Sequence, residues 1–214
     1  MMKKTLRREI ATVLKNMGED KMHAASKQLA EHIKEIPRAQ TAERVSIYLA
    51  MKNEAQTQTA LEWLFDAKKR VFVPKIIGAG SEDMRMPELA SLEELAGLDK
   101  FKWGIPEFTL EQLEERADGV DSSVEDLVDV VFTPGVAFTT DGFRLGHGKG
   151  YYDAFLKKLQ RARKAAGLPP AYTVGLSLDE QILDAVPVED HDVALDAVAT
   201  PSAVYYCAGD KERP

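Results

Sequence analysis

FTPGVAFTTDGFRLGHGKGYYDAFL, residues 132–156, holds five of the chain's 14 glycines. Gly146, Gly148 and Gly150 alternate as G-x-G-x-G between an apolar, strand-like segment at residues 127–132 and a helix-like segment that begins near Tyr151. Strand, glycine loop and helix start, in that order, predict an α/β unit with an anion cradle at its turn. Glycines accept positive φ and let N–H groups approach a ligand, and the helix N-terminus adds partial positive charge. Arg144, His147 and Lys149 are interleaved with the glycines, so the implied ligand is a phosphate. The loop matches neither common nucleotide fingerprint. Lys149 is followed by Gly150 and Tyr151 rather than by Ser or Thr, and the glycines are spaced two and two. Spacing alone leaves a ligand-free tight turn as an alternative; the charges and the Tyr-Tyr-Asp that follows favour a site.

Upstream, residues 44–50 (RVSIYLA) alternate and are rich in β-branched and aromatic types, which predicts a strand. Its end, Met51-Lys52-Asn53-Glu54, lies where ligands gather in open α/β sheets, which makes Glu54 a candidate contact. Leu6, Ile10, Val13, Leu14 and Met17 fall at helical spacing before Gly18, and Met22, Ala25, Leu29, Ile33 and Ile36 repeat the pattern up to Pro37. Two helices therefore precede the first strand. Lys3, Lys4, Arg7 and Arg8 crowd the first turns, where cations oppose the helix dipole and repel one another. A solvated basic face and a phosphate contact are both open readings of that cluster.

Further along, residues 59–69 read as a helix, 71–74 as a strand and 84–89 as a strand of edge type because of Pro87. Residues 90–126 are irregular and carry Lys102-Trp103-Gly104-Ile105-Pro106-Glu107, whose Trp either fills a core gap or stacks on a ligand. Residues 151–164 predict a helix with Phe155, Leu156 and Leu159 inward and Lys157, Lys158, Arg161, Arg163 and Lys164 outward. A strand at 172–177, a short helix at 180–185 and a last strand at 203–207 complete the pattern. The expected fold is α/β: a three-layer α/β/α arrangement with a mostly parallel, Rossmann-like central sheet and two helices at the N-terminus, as one domain over residues 1–214.

Composition narrows the function. Hydrophobic content of 44% and charged content of 29% are ordinary for a globular protein, and a net charge of −7 argues against a general nucleic-acid binder. Charge is uneven: residues 1–40 hold nine Lys/Arg against five Asp/Glu, net +4, and residues 107–129 one Arg against nine acids, net −8. That asymmetry suits an anionic small ligand near the N-terminus and glycine loop, with a solvated acidic linker elsewhere. The single cysteine, Cys207, rules out an internal disulfide or a Cys-based zinc cluster and reads as a buried small apolar residue. Charges interrupt any apolar signal core in MMKKTLRREI, and no run approaches the ~20 apolar residues of a membrane span. A cytoplasmic location is expected, without membrane or nucleic-acid partners.

Taken together, Pro134-Gly135-Val136-Ala137-Phe138, Gly142-x-Arg144-Leu145-Gly146-x-Gly148-x-Gly150-Tyr151-Tyr152-Asp153-x-Phe155-Leu156, Lys3-x-x-Leu6-Arg7, Tyr48-Leu49-x-x-x-x-Glu54, Trp103-Gly104-Ile105-Pro106-Glu107, Gln181 and His191-Asp192-x-x-x-Asp196 resemble the 5-formyltetrahydrofolate cyclo-ligase family over nearly the whole chain. The resemblance implies ATP- and Mg²⁺-dependent conversion of 5-formyltetrahydrofolate, with or without a polyglutamate tail, to 5,10-methenyltetrahydrofolate; a monomer is expected, although the sequence itself does not give the oligomeric state. It implies that Lys3, Arg7, Arg144, Leu145, Gly146, His147, Gly148, Lys149, Gly150, Tyr151 and Tyr152 bind ATP. Arg144 and Lys149 would offset charge on the transferred phosphoryl group. Leu49, Glu54, Trp103, His147 and Tyr151 would take the folate, and Asp153 with Asp196 the metal. One position departs from the pattern: the family usually has an acid directly after Phe138, and here Thr139 follows, with Asp141 two positions later. A kinase or ligase of the same fold acting on another small molecule, and a folate- or nucleotide-binding protein without turnover, are the competing readings.

Overall fold

The computed structural model describes residues 2–101, 104–189 and 192–207. Three helices open the chain, α1 (Met2–Met17), α2 (Glu19–Glu35) and the short α3 (Pro37–Thr41). Pro37 was expected to end the second helix; it also starts α3 from its first position, where a missing N–H costs nothing. The chain continues through β1 (Arg44–Ile47), α4 (Gln58–Asp66), β2 (Arg70–Phe72), β3 (Lys75–Ile76), β4 (Met84–Arg85), β5 (Glu88–Leu89), α5 (Leu92–Gly97) and α6 (Leu110–Glu114). It ends with β6 (Val130–Thr133), β7 (Ala137–Phe138), β8 (Arg144–Leu145), α7 (Tyr151–Ala165), β9 (Tyr172–Leu176), β10 (Ala197–Ala199) and β11 (Val204–Tyr206).

Seven strands form one mixed sheet in the order β11-β10-β9-β6-β1-β2-β5. Pairings among β2, β1, β6, β9 and β10 are parallel, and the two edges, β5 and β11, are antiparallel. Strand alternation sends side chains to two cores. Val45, Ile47, Val130, Phe132, Val174 and Ala197 pack with residues of α1, α2 and α4 on one face, while Val131 and Val198 meet Phe155, Leu156 and Leu159 of α7 on the other. Burying each large apolar side chain in this way contributes about 1.5–3 kcal/mol. The three-layer α/β expectation holds.

Numbered by chain position, the five parallel strands β2, β1, β6, β9 and β10 read 2-1-3-4-5 across the sheet. Connections leave β1 towards β2 on one side and later return to β6 on the other. The crevice between the carboxyl ends of β1 and β6 is thus the topological switch point, where doubly wound sheets bind ligands.

Several expectations change in detail. The strand expected at residues 84–89 is two: β4 pairs only with β3 in a small hairpin, and β5 joins the main sheet. Pro87 cannot donate between them, and the buried Asp118 carboxylate takes the Met86 N–H (3.0 Å) and Arg85 Nε (2.6 Å). Asp118 is fully buried, whereas Glu111, Glu114, Glu115, Asp121 and Glu125 are exposed, so residues 107–129 are solvated only in part. The expected helix at 180–185 is a 3₁₀ turn, Asp179–Gln181. Strand β10, three small or β-branched residues, was missed because so short a run carries no periodicity.

Arg163, expected on the outer face of α7, is 5% exposed. It donates to the carbonyls of Leu127, Val128 and Pro169 and to Asp129 Oδ1. With Lys158 also paired to Asp121, the basic run is no free stripe for nucleic acid. Burial works against charge on Asp129, but hydrogen bonds and positive charge from Arg44 and Arg163 outweigh it and hold the carboxyl below its ordinary range. Its contribution to stability is therefore full above the ordinary carboxylate range and is lost as pH falls through the lowered folded value. Arg163→Met is expected to cost about 2 kcal/mol in urea unfolding at neutral pH and to move acid unfolding to higher pH. An unchanged acid midpoint would show that Arg44 alone sets Asp129.

Candidate active site

The glycine loop joins the small hairpin of β7 and β8 to the N-terminus of α7, above the switch point. Thr139, which replaces the expected acid, has a local role in that hairpin: its N–H donates to Phe143 O (2.9 Å), and its hydroxyl accepts from Phe143 N (3.2 Å). Gln181, 1% exposed, donates from Nε2 to the carbonyls of Gly135 (2.7 Å) and Val136 (3.1 Å), so the 3₁₀ turn after β9 fixes the path of the chain as it leaves β6.

Gly148 and Gly150 sit at φ 97° and 72°, the left-handed region that favours glycine. Gly150 is the N-cap of α7 and offers no side-chain cap. None of the backbone N–H groups from Gly146 to Asp153 donates to an acceptor among the described residues. A row of unsatisfied amides running into a helix N-terminus is an anion site in waiting. Lys149 is exposed and forms no ion pair among the described residues, which leaves its charge available to the same anion.

Side chains close around this cradle from three directions. From α1, Arg7 Nε donates to Gly146 O (2.8 Å), and its guanidinium packs so tightly on Gly148 that a Cβ there would lie 3.2 Å from Nη2. Lys3, one turn earlier, meets Glu189 (3.0 Å) and Asp192 (3.5 Å). Two of the first-turn cations that helix design disfavours, Lys3 and Arg7, are thus held by the opposite side of the site. Beneath the loop, Arg144 is 8% exposed and donates from Nη2 to Asp153 Oδ1 (2.9 Å), which also accepts from Val193 N (3.3 Å). Leu145 beside it is buried.

From the β1 side, Glu54 is 6% exposed; its Oε2 accepts from Met51 N (2.8 Å), and its Oε1 lies 3.3 Å from His147 Nε2. That contact ties the loop after β1 to the loop after β6 across the switch point. Leu49 is half-buried on the same loop. Tyr151 donates from its hydroxyl to Gly78 O (3.1 Å), which docks the β3–β4 hairpin on the start of α7. The Tyr152 hydroxyl is buried without a partner among the described residues, as is Arg144 Nε. Burial, then the negative charge of Glu54, pushes the Tyr152 phenol far up, with Arg144 opposing. The same burial and the same carboxylate raise Tyr48.

Trp103 lies outside the described residues. Asp196 stands at the start of β10, where its Oδ2 accepts from Thr173 N and Thr173 Oγ1 (both 2.7 Å), and it makes no contact with Asp153. Its carboxylate caps the β9–β10 pairing below the strand ends. Asp192, in the same motif as Asp196, precedes the amide that donates to Asp153 and pairs with Lys3. Among the described residues no group of three or more His, Cys, Asp or Glu side chains could hold a metal by itself. No helix among them is long and apolar enough to cross a membrane.

Comparison with known proteins places the chain in a family. The sequence profile of the 5-formyltetrahydrofolate cyclo-ligase family matches residues 1–201. A 5-formyltetrahydrofolate cyclo-ligase from Mus musculus is 32% identical, covering 92% of both chains, and one from Escherichia coli is 30% identical, covering 83% of this chain and 88% of its own. In three dimensions the chain is similar to the 5,10-methenyltetrahydrofolate synthetase of Aquifex aeolicus, with a TM-score of 0.76, 25% identity, and coverage of 100% of this chain and 97% of that one.

Proposed function

The chain belongs to the 5-formyltetrahydrofolate cyclo-ligase family, and we propose that it carries out the family's reaction in the crevice between the β1 loop and the glycine loop. It is a ligase of folate one-carbon metabolism that uses ATP to cyclise 5-formyltetrahydrofolate to 5,10-methenyltetrahydrofolate. The observation that carries the placement is the row of amides from Gly146 to Asp153 that meet no acceptor among the described residues, with Lys149, which forms no ion pair among those residues, at the switch point of the sheet.

An N-formyl amide is a poor electrophile, and its oxygen is a poor leaving group. Transfer of the γ-phosphoryl group of ATP to the formyl oxygen removes both obstacles, after which folate N10 attacks the carbon and phosphate departs. Such a transfer asks the protein chiefly for positioning and charge neutralisation. The amides of Gly146, Gly148 and Gly150 cradle the phosphates, and Lys149 meets the transferred group. Lys3 and Arg7 flank the phosphates from α1. Arg144 and Leu145 support the loop from below, with Tyr152 packed against the Arg144 guanidinium. Leu49, Glu54, His147 and Tyr151 face the folate. All of these groups come from one chain, so the reading requires no partner subunit.

Magnesium fits this donor set as an ion shared with ATP rather than one caged by protein. Mg²⁺ takes one or two carboxylates together with phosphate oxygens. Asp153 is the first such carboxylate; Asp192 replaces Asp196 as the second, because Asp196 is committed to Thr173. When bound, the ion neutralises phosphate charge during transfer. The test is direct: purified protein mixed with 5-formyltetrahydrofolate and MgATP is expected to develop the ultraviolet absorbance of the methenyl product. Intact ATP binding with no such absorbance would overturn the proposal.

A further inference from the structure

We infer that His147, oriented by Glu54, is the base that removes the N10 proton during ring closure. The inference rests on the reaction path above and supplies the proton acceptor that the path leaves open. N10 of the substrate carries one hydrogen, and in the product it carries none. When the N10 lone pair forms the new N10–C bond at the phosphorylated formyl carbon, N10 becomes cationic. Its proton passes to a base, and the freed electron pair on N10 then drives out phosphate as the C–O bond breaks, leaving the N5–C–N10 amidinium. The proton taken from N10 ends on the departing phosphate, so none is released net; ATP supplies the phosphoryl group, and nothing is oxidised or reduced.

Among the described residues at the crevice, His147 is the one whose geometry suits that task. Its Nε2 lies 3.3 Å from Glu54 Oε1, and Glu54 is 6% exposed with its other oxygen held by Met51 N. A carboxylate there accepts Nε2–H, which fixes the tautomer and leaves the lone pair on Nδ1. The imidazole itself is half-exposed at the mouth of the crevice, so Nδ1 is open to substrate. A buried carboxylate behind an accessible imidazole is the arrangement that makes histidine an effective general base and steadies the imidazolium it becomes. The other groups facing the pair do not compete. The phenols of Tyr48 and Tyr152 hold their protons, because burial and the Glu54 charge raise both. Arg7, Arg144 and Lys149 are cations, and both Glu54 oxygens already have donors.

His147 also sits in the phosphate loop, so the test must separate proton removal from ATP binding. Single turnovers of His147→Ala and His147→Gln are followed for ADP and for methenyl product separately. ADP is expected at the wild-type rate and methenyl product about 10²-fold slower. Added imidazole should restore methenyl formation in His147→Ala in proportion to its free-base concentration. A parallel fall in both rates would make His147 an ATP contact and overturn the inference. So would a wild-type methenyl rate in His147→Gln, or a slow His147→Ala that imidazole does not rescue. Wild-type protein that made no methenyl product would sink the reaction path itself, so the two failures are distinguishable.

Discussion

Lys149→Ala is expected to lower turnover by about 10²–10³-fold, the scale of removing one charge-stabilising group from a preorganised transition state. Folate KM should change by less than about threefold, because the ammonium serves charge that develops in transfer rather than charge already present on the folate. The side chain is exposed and forms no ion pair among the described residues, so its loss leaves no buried partner stranded and should not alter the melting temperature. Steady-state kinetics with folate and MgATP varied separately is the measurement. Equal losses in turnover and folate affinity would mean that Lys149 only holds substrate.

The reason Lys149 stands out is visible only by comparison with its neighbours. Sequence alone makes Arg144 and Lys149 equivalent cations in one glycine loop. In the fold they differ: Arg144 is buried and spends its charge on Asp153, whereas Lys149 keeps its own. The unsatisfied amides, the uncapped α7 and the switch point all converge on the loop that carries Lys149. Arg144 acts from below, by fixing Asp153 and the floor of the loop.

Much of this was legible before any coordinates. The glycine loop, the cations of α1, Glu54 at a strand end and the α/β alternation are local signals, and each reports a local requirement: positive φ, a helix dipole, a strand period. What sequence could not show was pairing at long range. Asp192 and Asp196 are four residues apart, and only the register of β10 against β9, which places Asp196 opposite Thr173, tells them apart. Arg163 sits in a run of cations that periodicity assigns to solvent, yet the 127–129 segment passes under it and offers two carbonyls and a carboxylate. The acidic stretch misled for the same reason, since Asp118, Asp126 and Asp129 find Arg85, Arg70 and Arg44 from distant strands.

Asp153→Asn should separate two roles that the geometry superimposes. In the folded protein without nucleotide, Asp153 is the counter-charge of Arg144, whose side chain is 5% exposed. Removing that charge leaves a buried guanidinium facing a neutral amide, and breaking such a pair costs about 3–5 kcal/mol. Thermal unfolding without ATP or magnesium should therefore move to lower temperature. The second role, which rests on the proposed metal site, would appear only with substrate: the magnesium concentration giving half-maximal turnover should rise about tenfold, because one of the two carboxylates proposed to share the ion with ATP would be gone. Asp192→Asn provides the contrast. It leaves the Arg144–Asp153 pair intact, so the same rise in magnesium requirement should come with little loss of stability. If Asp153→Asn lowers stability while its magnesium titration matches wild type, Asp153 serves Arg144 alone and the metal is held elsewhere.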